Sequence, residues 1–218
     1  MDRSRVAIVI PAFNEEATIA RVVTDTGQYG HVIVVDDAST DETGSIAERA
    51  GALVIRNSKN LQYDGSLGVG LQTALDHGYE FALTLDADGQ HPAGDIPKFL
   101  MALEQGADLV LGIRPSPARF AERCFRVMGR LLWGVEDPLC GMKAYRMSWL
   151  KHYGVADTYR SIGTQQTISA LRAGARMQQI PITIHARNDR SRFGGIVRAN
   201  LRITRALAIS VWRYGLRH

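Results

Sequence analysis

Cysteine is scarce in this chain: Cys124 and Cys140 are the only two among 218 residues. They show no paired CxxC spacing, which argues against a zinc site or a disulfide framework and for a reducing, cytoplasmic compartment. Long apolar runs are lacking too. No stretch approaches the roughly 20 residues of a membrane span, so the chain is not expected to cross a bilayer by itself. The start, MDRSRVAIVIPAF, passes from charges directly into a short apolar run. It lacks the apolar centre and small-residue cleavage site of a signal peptide. There is no internal repeat and no low-complexity tract. Aromatic residues make up only 7%. None forms a stacking set among the C-terminal arginines, so nucleic acid is not the expected partner.

What is present is enough apolar residue, 45% of the chain, for a sizeable core, and the length suits one domain. The net charge of +4 is unevenly spread, with arginines crowding residues 187–217, which points to an anionic partner for that end. Strand and helix patterns alternate through the first half, the signature of a mostly parallel α/β sheet with helices on both faces. Strands are expected at residues 6–11, 31–35, 53–55, 81–85 and 109–113. Asn14 is expected to cap a first helix with Glu15 and Glu16 in its opening turn, and Ser39 with Glu42 has capping-box spacing for a second. A glycine-rich loop and a helix to about His77 follow the third strand. Residues 115–138 read as helical and Arg-rich, and 140–147 as a strand. Lys143 and Arg146 read as the solvated face of that strand. A helix over 164–173 leads to a strand over 177–185, placed at a sheet edge because it carries Pro181. The last segment, 195–214, reads as a helix.

The chemistry gathers at strand ends, where open parallel sheets bind their ligands. The fourth strand ends in Asp86-Ala87-Asp88-Gly89-Gln90. If the chain stays extended past Asp88, residues two apart point to one side, so Asp86, Asp88 and Gln90 would converge. Two carboxylates and an amide oxygen suit Mg²⁺ or Mn²⁺ carrying a diphosphate, not Zn²⁺. Strand one ends in Pro11-Ala12-Phe13-Asn14-Glu15, strand two in Asp36-Asp37 and strand five in Gly112-Ile113-Arg114. Four such clusters on one rim point to a single ligand crevice rather than to turn chemistry.

The stretches IPAFNEE, VVDDASTDET, LDADGQHP, DPLCGMKAYR and RNDRSRFGG, in this order and at these spacings, resemble glycosyltransferase family 2 with its GT-A fold. Within the family they are most similar to the polyprenyl-phosphate branch. The resemblance covers nearly the whole chain. It implies an α/β GT-A catalytic domain over residues 1–194 and a basic amphipathic helix over 195–218, either part of that domain or a membrane-surface contact. The implied activity is transfer of a sugar, with inversion, from a UDP- or GDP-linked donor to a polyprenyl phosphate. By position, Pro11, Ala12, Asn14 and Glu15 would line the nucleotide pocket and Asp37 would hydrogen-bond the base. Asp86, Asp88 and Gln90 would hold the metal, with Asp88, Arg114 and Asp137 at the reacting end. Arg114 would meet the acceptor's or donor's phosphates, and Asp137 would orient a sugar hydroxyl. Arg187, Ser191 and Arg192 would contact the diphosphate from a loop hinged at Gly194-Gly195.

Three features depart from that pattern. The loop after strand three reads NLQYDGS, without the Lys between glycines common in the family. Gln165 and Gln166 stand where relatives often carry a carboxylate, and the paired membrane spans of the bacterial relatives are missing. A lipid phosphate needs no general base, because its second pKa is about 6. An alternative saccharide hydroxyl would need one, and Asp137 or Asp157 is then the candidate. In the last segment Arg198, Arg202, Arg205 and Arg213 share one helical face, and Ile196, Ile203, Leu207 and Val211 another. That pattern suits peripheral contact with the cytoplasmic face of an anionic membrane. A non-catalytic signalling domain is disfavoured because strand one lacks the acidic pair that fold requires. A dinucleotide-binding domain is disfavoured because Gly65, Gly68 and Gly70 run GxxGxG and do not follow the first strand.

Overall fold

The computed structural model describes residues 1–117, 119–154, 160–185 and 196–215. Its centre is β1, Val6–Ala12, buried along its whole length. A run of β-branched residues favours a strand here, and alternation divides its side chains between two cores. Val6, Ile8 and Ile10 pack with Ile19, Val22, Ile96 and Phe99 on one face. Ala7 and Val9 pack with Leu67 and Leu71 on the other. The helices behind the first face are α1 (Ile19–Gly27), α2 (Thr43–Arg49) and α4 (Ile96–Glu104). Those behind the second are α3 (Gln62–Asp76), α6 (Met147–Tyr153) and α7 (Thr164–Arg172).

The other strands are β2 (His31–Asp36), β3 (Leu53–Arg56), β4 (Phe81–Thr84), β5 (Leu109–Ile113), β6 (Lys143–Arg146) and β7 (Met177–Pro181). The sheet order is β3-β2-β1-β4-β6-β5-β7. β6 runs antiparallel to both β4 and β5, and every other pairing is parallel. The carboxyl ends of β1, β2, β4 and β5 therefore share one rim, the arrangement that the alternating pattern predicts. β7 lies at the edge, as Pro181 requires.

Several local expectations change. Asn14 does not cap α1: it has a φ of +54°, and its Oδ1 accepts from Thr40 N at 2.8 Å. Glu15 and Glu16 precede α1, which starts only at Ile19. Ser39 does not cap α2, since its hydroxyl accepts from Asn14 N at 2.9 Å. The loops after β1 and β2 bind each other, and these polar residues serve that contact instead of their own helices. Gly65, Gly68 and Gly70 lie inside α3 rather than in a loop. A Cβ at Gly70 would fall 2.3 Å from Val9 Cγ1, so a bare backbone there lets α3 seat directly on β1. The expected strand over 140–147 shortens to Lys143–Arg146 and passes into α6.

Helices from distant parts of the chain also pack together. α5 (Phe120–Trp133) and α8 (Ile196–Tyr214) bury Ala121, Phe125, Ile203 and Ala206 between them. Asn200 Oδ1 accepts from Ala121 N at 3.2 Å. Leu207, part of the apolar face expected for membrane contact, is partly buried against the same cluster.

Candidate active site

A cleft of about 440 Å³ opens at the shared rim of the sheet. Of the residues expected there, Pro11, Ala12, Glu15, Asp37, Asp86, Asp88, Gln90 and Arg114 all line it. Asp37 is fixed from below, its Oδ1 accepting from Leu61 N at 2.7 Å and Asn57 Nδ2 at 2.9 Å. Glu15 is buried, and its amide donates to Thr43 Oγ1 at 2.7 Å.

The Asp86–Gln90 segment is not extended. It turns at Gly89, whose φ is +72°, and Gln90 N donates to Asp88 Oδ1 at 3.0 Å. Gln90 thus reaches the cleft by a tight turn, not by strand alternation. Gln90 Nε2 donates to His185 O at 3.4 Å and His185 N donates to Gln90 O at 2.9 Å. The chain entering residues 186–195 is anchored on this turn. Beneath Asp86 lies Gly141, where a Cβ would be 2.5 Å from Asp86 Oδ1. A side chain at Gly141 would push that carboxylate aside. Among the described residues no three His, Cys, Asp or Glu side chains gather as a metal site. A cation held here would draw further oxygens from its ligand.

Asp137 is the main revision. It is 1% exposed and does not line the cleft. Its Oδ2 accepts from Arg114 Nε at 2.7 Å and Arg114 N at 3.1 Å, and its Oδ1 from Arg114 Nη2 at 2.9 Å. Arg126 Nη2 stands 3.4 Å from Oδ2. Burial works to raise the Asp137 carboxyl, but the Arg114 guanidinium outweighs it and holds the pKa below the ordinary carboxylate value. For Arg114, burial opposes the charge and Asp137 more than restores it, raising the pKa. A carboxylate so bound neither meets a sugar hydroxyl nor accepts its proton; it aims Arg114. Beside it, burial first and the Asp137 charge second push the Cys140 thiol up to about 12, as suits a packing residue.

Asn14 also stays out of the cleft, held by Thr40. Lys143 and Arg146 are not a solvated face. Lys143 is 2% exposed, donating to Pro138 O at 3.1 Å, Thr167 Oγ1 at 3.3 Å and Gly163 O. Arg146 donates to Leu103 O at 2.6 Å and lies over the Phe81 ring. Arg187, Ser191, Arg192 and Asp157 fall outside the described residues.

Arg119, Arg160 and Arg202 also line the cleft, with Tyr63, Asp64 and Glu122. Arg119 starts α5 and donates to the buried Glu122 at 2.7 Å. Arg160 has a φ of +55°, in a loop held where Asp64 Oδ1 accepts from Gly163 N at 2.7 Å. No periodicity or motif marks Arg119 or Arg160, and helical spacing places Arg202 on a basic face without pointing to the cleft, because three separate segments bring these arginines together. The NLQYDGS segment, whose Gln62 to Ser66 form the start of α3, likewise lines the cleft through Asn60, Gln62, Tyr63, Asp64 and Ser66. Gln165 and Gln166 do not.

The mostly parallel sheet, with acidic residues at the ends of β2 and β4 and an arginine just beyond β5, has the layout expected of the GT-A fold. The profile of Glycosyl transferase family 2 matches residues 7–154, and the chain belongs to this family. It is 30% identical to the undecaprenyl-phosphate mannosyltransferase of Micrococcus luteus over 98% of each chain. It is 31% identical to glycosyltransferase AglJ of Haloferax volcanii, over 88% of this chain and 69% of that one. Among solved structures, glucosyl-3-phosphoglycerate synthase from Mycobacterium tuberculosis, in complex with Mn²⁺, UDP-glucose and phosphoglyceric acid, superposes with a TM-score of 0.79. That match covers all of this chain and 82% of the other at 20% identity, a likeness of fold.

Proposed function

We propose that this glycosyltransferase is metal-dependent and inverting, and moves a sugar from a nucleoside diphosphate to a polyprenyl phosphate. The observation that carries the reading is the pairing, within one cleft, of Asp86 and Asp88 with Arg114, Arg119, Arg160 and Arg202. The carboxylates fit a cation on the donor diphosphate, and the arginines fit an anionic acceptor. The relative from Micrococcus luteus, named for an undecaprenyl phosphate acceptor, supports the same choice. α8 is read as part of the catalytic unit, since Arg202 and Ile203 line the cleft.

The donor set fits Mg²⁺ or Mn²⁺: oxygen ligands only, with Gly141 leaving space at the Asp86 carboxylate. A cation bound there would offset the charge that builds on the departing nucleoside diphosphate. Asp37 and Glu15, fixed by backbone and side-chain partners, would orient the nucleoside. Arg114, aimed by Asp137, would hold the acceptor phosphate for attack on the face opposite the leaving group. An ionised phosphate needs no proton removed, which agrees with an Asp137 too tightly bound to serve as a base.

The test is calorimetry with UDP- and GDP-sugars in the presence of Mn²⁺, followed by transfer to a short polyprenyl phosphate. Metal-assisted binding and a product of inverted anomeric configuration are expected. Absence of metal-assisted uptake of any UDP or GDP compound sinks the reading. Gly141→Ala should displace the Asp86 carboxylate and weaken Mn²⁺-dependent nucleotide binding roughly tenfold to a hundredfold, by the same titration. Arg160→Ala and Arg202→Ala should each raise KM for the polyprenyl phosphate about tenfold while leaving donor binding unchanged.

A further inference from the structure

The arginines of the cleft are held by different parts of the fold. Arg114 is paired with Asp137 and Arg119 with Glu122. Arg160 and Arg202 are reached from the opening turn of α3, where Gln62 and Asp64 also line the cleft. Gln62 Oε1 accepts from Arg202 Nη2. Asp64 Oδ1 accepts from Gly163 N at 2.7 Å, in the turn that carries Arg160.

That turn does not keep its shape by local preference. Arg160, Ile162 and Gly163 have φ of +55°, +57° and +68°. Left-handed backbone is unfavourable for an arginine and more so for a β-branched isoleucine, so such a turn persists only where its surroundings fix it. The fixing contacts come from distant segments. The Gly163 peptide is gripped on both sides, its N–H by the Asp64 carboxylate and its carbonyl by the buried Lys143 ammonium. Ser161 is fully buried, and its hydroxyl accepts from Gln165 N at 2.8 Å. Ile162 packs against the cluster that α5 and α8 share. Gln62 is itself left-handed, with a φ of +65°, and its N–H donates to Asn60 Oδ1 at 3.0 Å. The NLQYDGS segment, which departs from the family pattern, thus supplies side chains that bind two other cleft-lining segments.

We propose that Asp64 and Gln62 are positioning residues: Asp64 sets the turn that aims Arg160, and Gln62 sets the Arg202 guanidinium, so that both meet the acceptor's phosphate. In naming that phosphate, the inference rests on the polyprenyl-phosphate reading. Fixing two long side chains before the anion arrives spares their ordering cost at binding, so the gain falls on the acceptor's KM. Both residues act through the arginines and not on the reacting atoms.

The test combines transfer kinetics with hydrogen exchange, both on the full chain. Asp64→Ala should raise KM for a short polyprenyl phosphate about tenfold, leaving kcat and Mn²⁺-dependent binding of the UDP- or GDP-sugar at wild-type values. Retained donor binding shows an intact fold. Asp64→Asn keeps the oxygen that accepts from Gly163 N and should stay within about twofold of the wild-type KM. Gln62→Ala should raise that KM roughly threefold to tenfold. Added to Arg160→Ala, Asp64→Ala should raise KM no further, because its effect passes through the arginine. Without acceptor, amide exchange over residues 161–164 should quicken about tenfold or more in Asp64→Ala. Equal losses in Asp64→Ala and Asp64→Asn, additive losses in the double variant, a wild-type KM in Gln62→Ala, or unchanged exchange over 161–164 each overturn the proposal. A wild-type enzyme that transfers to no polyprenyl phosphate refutes the acceptor reading instead, and exchange over 161–164 still decides whether Asp64 sets the Arg160 turn.

Discussion

Asp88→Ala is expected to lower sugar transfer at least a hundredfold to a thousandfold, the size seen when one electrostatic contact to a developing charge is removed. Asp88 lines the cleft just past β4, where the tight turn through Gly89 also brings in Gln90. Removing its carboxylate takes away one of two charges that would hold a cation, and Gln90 cannot replace a charge. The loss should fall on kcat/KM and on Mn²⁺-dependent donor affinity together, and excess Mn²⁺ should recover only part of it. Asp88→Asn keeps the oxygen that accepts from Gln90 N, so its fold is retained and only the charge is lost. It should bind UDP alone as wild type does and fail to strengthen that binding with metal. An Asp88→Ala enzyme of wild-type turnover would remove this turn from the reaction.

Asp137→Ala is expected to be the most destabilising single change at the site, by about 3–5 kcal/mol, because it takes from the half-buried Arg114 guanidinium its main partner and leaves it Glu122 at 3.6 Å. For a chain of this length that corresponds to a fall of roughly 10 °C in melting temperature. The double variant Asp137→Leu with Arg114→Met should be less destabilised than Asp137→Ala alone, since the Arg114 charge is then removed together with its main partner. The pH dependence has a definite sign. The folded pKa of Asp137 lies below its unfolded value of about 3.9. Its contribution is therefore fully present above pH of about 4 and is lost as pH falls through the folded pKa. Urea midpoints of wild type and Asp137→Asn should converge as the pH is lowered from 5 toward 2. Parallel curves over that range would show that Asp137 does not carry the charge of the pair.

Much of the rim could be read before any coordinates. Pro11, Ala12, Glu15, Asp37, Asp86, Asp88 and Arg114 sit where strand ends place them, because a strand's carboxyl end fixes the next few residues in space, while Gln90 arrives there by the turn at Gly89. The misreadings share one cause. Local rules give Asn14 and Ser39 to their own helices, whereas the fold uses them to join two loops. Lys143 has the alternating neighbours of an exposed strand position, but α7 and the loop before it cover β6 and bury its ammonium group among oxygens.

The sequence by itself determined the alternation of elements, the edge position of β7 and the acidic rim, since periodicity and strand-end chemistry are local. The tertiary structure alone decided that β6 runs antiparallel between β4 and β5, that Asp137 faces Arg114 rather than the cleft, and that Arg119, Arg160 and Arg202 meet there. It also decided which apolar side chains are buried: α8 packs Ile203 and Ala206 on α5, while among the described residues Phe120, Val127 and Leu131 of α5 stay exposed. Amphipathic pattern says that a helix must bury one side, but only packing says against what.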